Sequence, residues 1–215
     1  MIKLDIISDP ICPWCFIGKA KLDRALENRP EHQFAVEWHP FQLNPLMPPE
    51  GMDRREYLEL KFGGRKGAVD VYGQIARAAQ EAGVTVNFEK INRTPSTLDA
   101  HRLIHWAGTE GVQTPVVTKL FHAYFQDGKD ISDPEVLTSI AASAGMDGAV
   151  VAKLLAQDTD KDDIRNRDAH ARERGVRGVP CFIVDNHYVI QGAQPTETWQ
   201  KVIDEVTLLA GQAAQ

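Results

Sequence analysis

The sequence has little of what would mark a membrane protein, a nucleic-acid-binding protein or a secreted disulfide scaffold. Its 215 residues contain no run of about 18 apolar residues, so no membrane-spanning helix is expected. The formal net charge is −6, which predicts no nucleic-acid footprint. Only three cysteines occur, and one is left over if two pair. Together with an N-terminus that lacks the pattern of a secretory leader, this predicts a cytoplasmic protein with a working dithiol.

Two of those cysteines form the tetrad Cys12-Pro13-Trp14-Cys15, between a strand-like run at 1–8 and a helix-like run at 13–28. Two thiols separated by two residues at such a junction are what reversible disulfide chemistry requires. Unpaired N–H groups at the helix N-terminus favour a thiolate on Cys12, and Cys15 lies one turn further on. The tetrad therefore predicts Cys12 near the surface as the attacking thiol and Cys15 as the resolving thiol.

Zinc coordination is the first alternative interpretation. A structural zinc site takes four ligands, but no second close cysteine or histidine pair accompanies the tetrad. The remaining candidate ligands are scattered along the chain: Cys181, His39, His187, His101, His105 and His122. His101 and His105 would share a helix face, yet two ligands alone favour packed or solvated histidines. No metal is expected.

The rest of the chain divides into strand-like ends and a long helical middle. A second strand is predicted at 34–38, and the proline-rich stretch 44–49 cannot continue a sheet. From about 53 to 175 the apolar spacing is mostly helical, with a capping box at 132–135. The final elements are a hairpin (181–184 and 188–190) and a helix (195–210).

This element order predicts an α/β fold in two parts. Residues 1–43 and 176–215 would form a discontinuous sheet domain, and residues 44–175 an inserted helical domain, because a helical block cannot interrupt a sheet in space. If the first two strands pair in parallel through a crossover, Cys12 lies at the carboxyl end of its strand. Open α/β sheets place their sites at that edge.

A second candidate element, Gly178-Val179-Pro180, comes directly before the returning strand. A trans-proline here would only begin the strand, whereas a cis-proline would expose the Val179 backbone towards the dithiol. A cysteine-containing substrate segment could then pair with that backbone as an added strand. The next residue, Cys181, is either a small buried hydrophobe or a third thiol beside the dithiol.

The tetrad, the late Val-Pro and the helical block together resemble the DsbA-like branch of the thioredoxin superfamily. Segments 8–19 (SDPICPWCFIGK), 38–45 (WHPFQLNP), 92–102 (NRTPSTLDAHR) and 192–195 (GAQP) are similar to its FrnE-like subfamily. The resemblance implies a thioredoxin fold with a large all-helical insertion and a cis bond at Val179–Pro180. It also implies dithiol–disulfide exchange by Cys12 and Cys15 with protein or small-molecule thiols.

The substrate groove is expected to be formed by five residues: Pro13, Trp14, Asn44, Val179 and Pro180. No bound cofactor is expected, but glutathione is a candidate redox co-substrate. Two residues depart from the family pattern. His39 stands where arginine is common, which weakens an anion-binding role there, and Cys181 stands where a small hydroxyl or apolar residue is usual.

Two other functions stay open at this point. The kappa-class transferases and 2-hydroxychromene-2-carboxylate isomerases resemble this architecture and depend on glutathione. They usually carry serine at the position of Cys12, so the presence of both Cys12 and Cys15 argues against that class. A non-enzymatic holdase would use only the apolar faces of the helical part, which also leave a homodimer open.

Overall fold

The computed structural model describes residues 1–213, and its elements follow the predicted order. In chain order they are β1 (Ile2–Ser8), α1 (Pro13–Glu27), β2 (Phe34–Pro40), β3 (Met52–Asp53), α2 (Arg54–Lys61), α3 (Arg65–Glu81), β4 (Arg93–Thr94), α4 (Leu98–Thr109), α5 (Gln113–Phe125), α6 (Pro134–Ser143), α7 (Gly148–Leu155), α8 (Lys161–Glu173), β5 (Cys181–Val184), β6 (Tyr188–Gln191) and α9 (Thr196–Ala213). No helix within this described part combines the length and the apolar character needed to cross a membrane.

Four of the strands form one sheet in the order β2-β1-β5-β6. β1 pairs in parallel with β2 and antiparallel with β5, which pairs antiparallel with β6. A parallel pair needs a crossover connection, and α1 supplies it. The carboxyl end of β1 is therefore where the chain enters α1, which is where the tetrad lies. The chain has the α/β fold with a helical insertion that the sequence predicted.

The central strand β1 has two buried faces, because successive side chains point to opposite sides of a sheet. On one face Leu4 and Ile6 pack with Phe182 and with apolar residues of α1 and α9. On the other face Ile7 packs with Cys181 in a separate, smaller cluster. The register between β1 and β5 pairs Ile6 with Phe182 and Ile7 with Cys181, so residues of each pair share a face. We call these the helix face and the far face.

The free edge of β2 is covered by the insertion. The Trp38 backbone N–H donates to Gln113 Oε1 over 2.8 Å, and the Trp38 indole N–H donates to Thr114 Oγ1 over 2.9 Å. These bonds occupy polar groups that an exposed edge strand would leave open. Apolar residues of α4 and α5 belong to the same cluster as those of β1, so the core is continuous across the sheet and the insertion. The boundaries 43/44 and 175/176 stay a prediction.

Local structure differs from the sequence pattern at two places in the insertion. A two-residue ribbon, β3 paired with β4, accompanies the predicted helices. Two residues per strand are too short to show the alternation that identifies a strand. The cap predicted at 132–135 is shifted, because Asp133 rather than Ser132 is the N-cap of α6 and its carboxylate accepts the Glu135 N–H.

Candidate active site

The dithiol lies at the junction of β1 and α1. Cys12 is the N-cap of α1 with an extended backbone (φ −85°, ψ 114°), and Pro13 occupies the first helical position, where its missing N–H costs little. The backbone N–H groups of Cys15 and Phe16 donate to the Cys12 carbonyl over 3.0 and 3.2 Å. This first turn places both thiols at the positive end of the helix dipole, as the tetrad predicted.

The loop before β5 approaches this turn from a distant part of the sequence. The Val179–Pro180 peptide bond is cis. Cys12 Sγ lies 3.5 Å from the Val179 carbonyl oxygen and donates to it. Gly18 lets α1 approach the loop closely, since a Cβ there would lie 3.0 Å from Pro180 Cγ. Cys12 and Val179, which are 167 positions apart in the chain, are therefore direct neighbours in the fold.

Burial distinguishes the two thiols from the exposed tryptophan between them. Cys12 is 4 % exposed and Cys15 is 1 % exposed, whereas Trp14 is 37 % exposed. The prediction that Cys12 lies near the surface is wrong, because the Val179 loop covers it. Burial raises the pKa of the Cys15 thiol well above its usual range, and the neighbouring Cys12 thiol adds to the rise. Cys15 is thus the thiol that needs help to lose its proton.

Asp9 organises the loop that precedes the dithiol. Its carbonyl accepts the Cys12 N–H over 2.9 Å. Its fully buried carboxyl group accepts the N–H groups of Ile11 (3.3 Å) and Leu43 (2.7 Å). Burial raises the pKa of Asp9 to about 7, although these hydrogen bonds oppose the rise. Asp9 therefore ties the chain after β2 to the dithiol and titrates near neutral pH.

Asn44 follows Leu43 and is held beside the same loop. Its Oδ1 accepts the Tyr57 hydroxyl over 3.0 Å. Its amide nitrogen is buried and has no hydrogen-bond partner among the described residues. An amide N–H without a partner is a donor for an incoming polar group.

His101, a candidate metal ligand in the sequence, is a packed histidine of α4. It is 2 % exposed, and its Nε2 lies 3.8 Å from Asp9 Oδ1. Burial lowers the pKa of His101 to about 4. His105, one turn further on, instead contacts Arg167 (Nδ1 to Nη1, 2.9 Å). The predicted helix face therefore does not bring these two rings to one metal site.

Cys181 lies on the far face of the sheet, not beside the dithiol. It is fully buried with Ile7, Phe41 and Val176, and it accepts a hydrogen bond from Gln191 Nε2 over 3.3 Å. Burial raises the pKa of the Cys181 thiol. Of the two interpretations of Cys181, this placement favours the small buried hydrophobe, because strand alternation turns its side chain away from Cys12 and Cys15.

Within residues 1–213, one group of side chains has metal-ligand spacing: Asp5, Glu37 and His39, whose ligand atoms lie within 4.8 Å of one another. The Lys3 ammonium group already occupies the space between the two carboxylates, at 3.0 Å from Asp5 and 3.1 Å from Glu37. A cation would have to displace this lysine, so the group carries no metal assignment.

Comparison with known proteins agrees with this geometry. A family model described as DSBA-like thioredoxin domain matches residues 3–204. A protein of Bacillus subtilis (strain 168) named YwbO, itself uncharacterised, is 30 % identical over 205 residues, which cover 95 % of this chain and 96 % of YwbO.

Solved structures share the fold. The probable DsbA oxidoreductase SCO1869 from Streptomyces coelicolor superposes with a TM-score of 0.84 at 28 % identity, over 95 % of this chain and 89 % of that one. The cytosolic disulfide reductase DsbM from Pseudomonas aeruginosa, solved with GSH, superposes with a TM-score of 0.68 at 16 % identity, over 95 % and 98 % of the two chains. The second likeness shows the fold alone.

Proposed function

The chain belongs to the DSBA-like thioredoxin domain family, and from that premise we propose that its Cys12–Cys15 pair carries out thiol–disulfide exchange with substrate disulfides. The observation that carries the proposal is the position of Cys12 Sγ. It lies at the N-terminus of α1, beside Cys15 and 3.5 Å from the Val179 carbonyl. A nucleophile and a resolving thiol thus share the first turn of α1, and the loop before β5 brings a backbone edge for substrate next to them.

In the reducing direction, the Cys12 thiolate attacks one sulfur of a substrate disulfide. A bond forms between Cys12 and that sulfur, the substrate S–S bond breaks, and the first substrate thiolate leaves. The Cys15 thiolate then attacks Cys12 Sγ, which releases the second substrate thiol. The protein ends with a Cys12–Cys15 disulfide, and the substrate has gained the two electrons. The oxidising direction is the reverse of these steps.

The substrate would lie along the Val179–Pro180 loop, beside Pro13 and the exposed Trp14. A peptide could pair with the Val179 backbone as an added strand. The Asn44 amide nitrogen lacks a partner but is buried, so it would donate to a carbonyl or carboxylate of the substrate only after its side chain turns outward. These groups suit a cysteine-containing peptide, and glutathione is the smallest such molecule. We therefore propose protein disulfides as substrates and glutathione as redox co-substrate.

A glutathione-dependent isomerase is the less favoured function. Such an enzyme needs one group that activates a bound glutathione thiol, not a resolving thiol. Cys15 lies in the first turn after Cys12 and contacts it. An isomerase that only activates a bound glutathione thiol would have no use for this second thiol. The cytoplasmic location, the FrnE-like subfamily and the homodimer stay predictions of the sequence.

The test is equilibration of the purified protein with glutathione buffers of graded redox poise, with the Cys12–Cys15 bond followed by tryptophan fluorescence and mass spectrometry. We expect a reversible two-electron transition in the wild type and none in Cys12→Ser. Reduction of insulin disulfides should likewise require Cys12. A wild type that forms no Cys12–Cys15 disulfide at any poise would refute the proposed function.

A further inference from the structure

A cleft in the helical insertion, between α2 and α3, is separate from the dithiol. Its volume is about 490 Å³, which lies within the range of small-molecule sites in proteins. Leu58 of α2 and Val69 of α3 line its walls, and Val69 is 62 % exposed. Neither thiol of the tetrad and none of the five residues assigned to the substrate groove lines it. The cleft is thus a second place where this chain can hold a small molecule.

Arg54, the first residue of α2, forms the base of the cleft. It is 7 % exposed. Its Nη1 donates to the Tyr124 hydroxyl over 2.6 Å, and its Nη2 donates to the Tyr72 hydroxyl. Its guanidinium carbon lies 5.4 Å from the ring centre of Tyr72, 5.9 Å from that of Phe88 and 5.6 Å from that of Tyr124. These are cation–π distances, so the aromatic rings hold the guanidinium in one place.

The Arg54 guanidinium has no counter-ion among the described residues. Three carboxylates line the same cleft, but none of them pairs with it. Asp53 caps α2, Glu59 pairs with Arg55 at 3.0 Å, and Glu89 is exposed. A buried charge is costly unless it is paired with an opposite charge. A guanidinium has five N–H donors, and the tyrosine hydroxyls occupy only two of its nitrogens. Arg54 is therefore a buried cation with donors to spare.

Tyr72 adds a second kind of donor at the base of the cleft. Its hydroxyl oxygen accepts from Arg54, but its own proton has no acceptor among the residues that the structure describes. The Tyr124 hydroxyl, by contrast, donates to the Arg93 carbonyl over 3.2 Å. Burial raises the pKa of Tyr72, so its hydroxyl stays protonated at neutral pH. The base thus presents charged N–H donors and one O–H donor side by side.

We propose that this cleft binds a small carboxylate with an apolar or aromatic body. The carboxylate accepts hydrogen bonds from Arg54 and Tyr72, and the body lies between Leu58 and Val69. A planar guanidinium matches a carboxylate with two parallel hydrogen bonds, and burial strengthens the attraction. The site is independent of thiol–disulfide exchange, because it uses neither Cys12 nor any residue of the substrate groove.

The charges and the length of the cleft define the ligand more closely. Asp53, Glu59 and Glu89 line it together with the arginines, so a phosphate dianion would be repelled more than a singly charged carboxylate. The part of α3 that lines the cleft runs from Arg65 to Tyr72. At a rise of about 1.5 Å per residue this is about 10 Å. The expected ligand is therefore a monocarboxylate with a body of about that length, such as a phenyl-substituted short-chain acid.

Isothermal titration calorimetry with 3-phenylpropionate and 3-phenylpropanamide tests the proposal, since the two probes differ only in the charged group. We expect the acid to bind the wild type with a Kd of about 1 mM or lower, as is usual for a ligand of this size. The amide should bind about tenfold more weakly or less, because it cannot accept a charged hydrogen bond pair. Phenyl phosphate should also bind more weakly than the acid. The methyl NMR signals of Leu58 and Val69 should shift on addition of the acid.

Two variants of Arg54 separate its charge from its geometry. Arg54→Gln should weaken acid binding about tenfold or more and bind acid and amide alike. Arg54→Lys keeps the charge without the planar fork, so its affinity should lie between those of the wild type and Arg54→Gln. Tyr72→Phe should weaken acid binding several-fold. The matched control is Arg77→Gln, an exposed arginine of α3 outside the cleft, which should bind as the wild type does.

A wild type that binds neither probe, or binds acid and amide equally, would overturn the proposal. Undiminished acid binding by Arg54→Gln would overturn it as well, and if that variant does not fold, Tyr72→Phe decides the question. Cys12→Ser should bind the acid with wild-type affinity. Weaker binding by Cys12→Ser, or binding that leaves the methyl signals of Leu58 and Val69 unmoved, would place the acid elsewhere and contradict the assignment.

Discussion

The two faces of the central strands carry the same residue types with different consequences. The helix face brings Cys12 and Cys15 to the N-terminus of α1 and to the Val179 loop. The far face buries Cys181 beneath a groove of about 500 Å³. Each thiol site has an aspartate and a histidine nearby, Asp9 and His101 at the dithiol and Asp5 and His39 at Cys181. What separates them is the helix terminus and the backbone edge, which only the helix face has.

The aspartate–histidine contacts differ in hydration as well. On the far face, His39 Nε2 lies 2.6 Å from Asp5 Oδ1, with Lys3 and Arg167 close by and water within reach. Near the dithiol, the Asp9–His101 contact is 3.8 Å long and both groups are fully buried. The first is a charged network in which Lys3 and Glu37 reach solvent although Asp5 is buried. The second is a fully buried pair in which burial opposes both charges.

The largest expected difference between the faces concerns their thiols. Cys15→Ser should reduce turnover of insulin disulfide reduction at least a hundredfold, because the mixed disulfide on Cys12 cannot resolve. It should accumulate as a covalent adduct visible by mass spectrometry. Cys181→Ser, on the far face, should keep full turnover. Loss of turnover in Cys181→Ser with an intact fold would mean that the far face takes part in the chemistry.

The next effect is on stability and comes from the buried pair. Asp9 has a folded pKa of about 7, above its usual 3.8, so its contribution to stability is lost as pH rises from about 4 to 7. His101 has a folded pKa of about 4, below its usual 6.5, so its contribution is lost as pH falls from about 6.5 to 4. The two trends oppose each other over the same range, and the wild type should show a shallow pH profile.

Asp9→Asn removes one side of that balance. Its unfolding free energy should rise by about 3 kcal/mol between pH 4 and 6.5, since only the histidine remains. His101→Gln should show the opposite slope. Urea unfolding at several pH values measures both. Parallel profiles for the wild type and both variants would show that the pair does not titrate in this way.

A smaller effect is expected where α1 meets the Val179–Pro180 loop. Gly18→Ala places a Cβ 3.0 Å from Pro180 Cγ, so the loop must shift and kcat/KM for insulin should fall several-fold. Gly73→Ala, also in the middle of a helix, meets only the end of Arg77 at 3.8 Å. It should leave activity unchanged and stabilise the protein by about 1 kcal/mol. Equal activity in both variants would argue against close packing at Gly18.

The smallest effect is expected on the far face. Asp5→Asn removes the partner of Lys3 and His39 but leaves Glu37 to pair with Lys3. Asp5 is buried but its partners Lys3 and His39 are partly exposed, and such pairs contribute little, so stability should fall by about 1 kcal/mol or less and the exchange rate should not change. Urea unfolding and the insulin assay measure the two quantities. A tenfold change in rate would show coupling between the faces.

The sequence predicted those parts of the site that depend on local order. The tetrad, its helix and the returning hairpin follow from short-range patterns. The fold follows from the order of these elements along the chain. Three features depend on long-range contacts instead. The register between β1 and β5 decides the face of Cys181, the loop at Val179 decides the burial of Cys12, and the packing of α4 brings His101 to Asp9. The late Val-Pro predicted that the Val179 backbone faces the dithiol, but not that the loop buries Cys12, and the other two contacts have no signature in the residues that make them.

The 167 positions between Cys12 and Val179 also bear on how the protein is made. At a synthesis rate of roughly 5–20 residues per second, the two thiols leave the ribosome about ten seconds or more before the loop that covers Cys12. For that time the nascent chain has a reactive thiol pair and no completed sheet around β1. The dithiol is therefore most open to wrong pairing before residue 191 has emerged and the sheet around β1 can be completed.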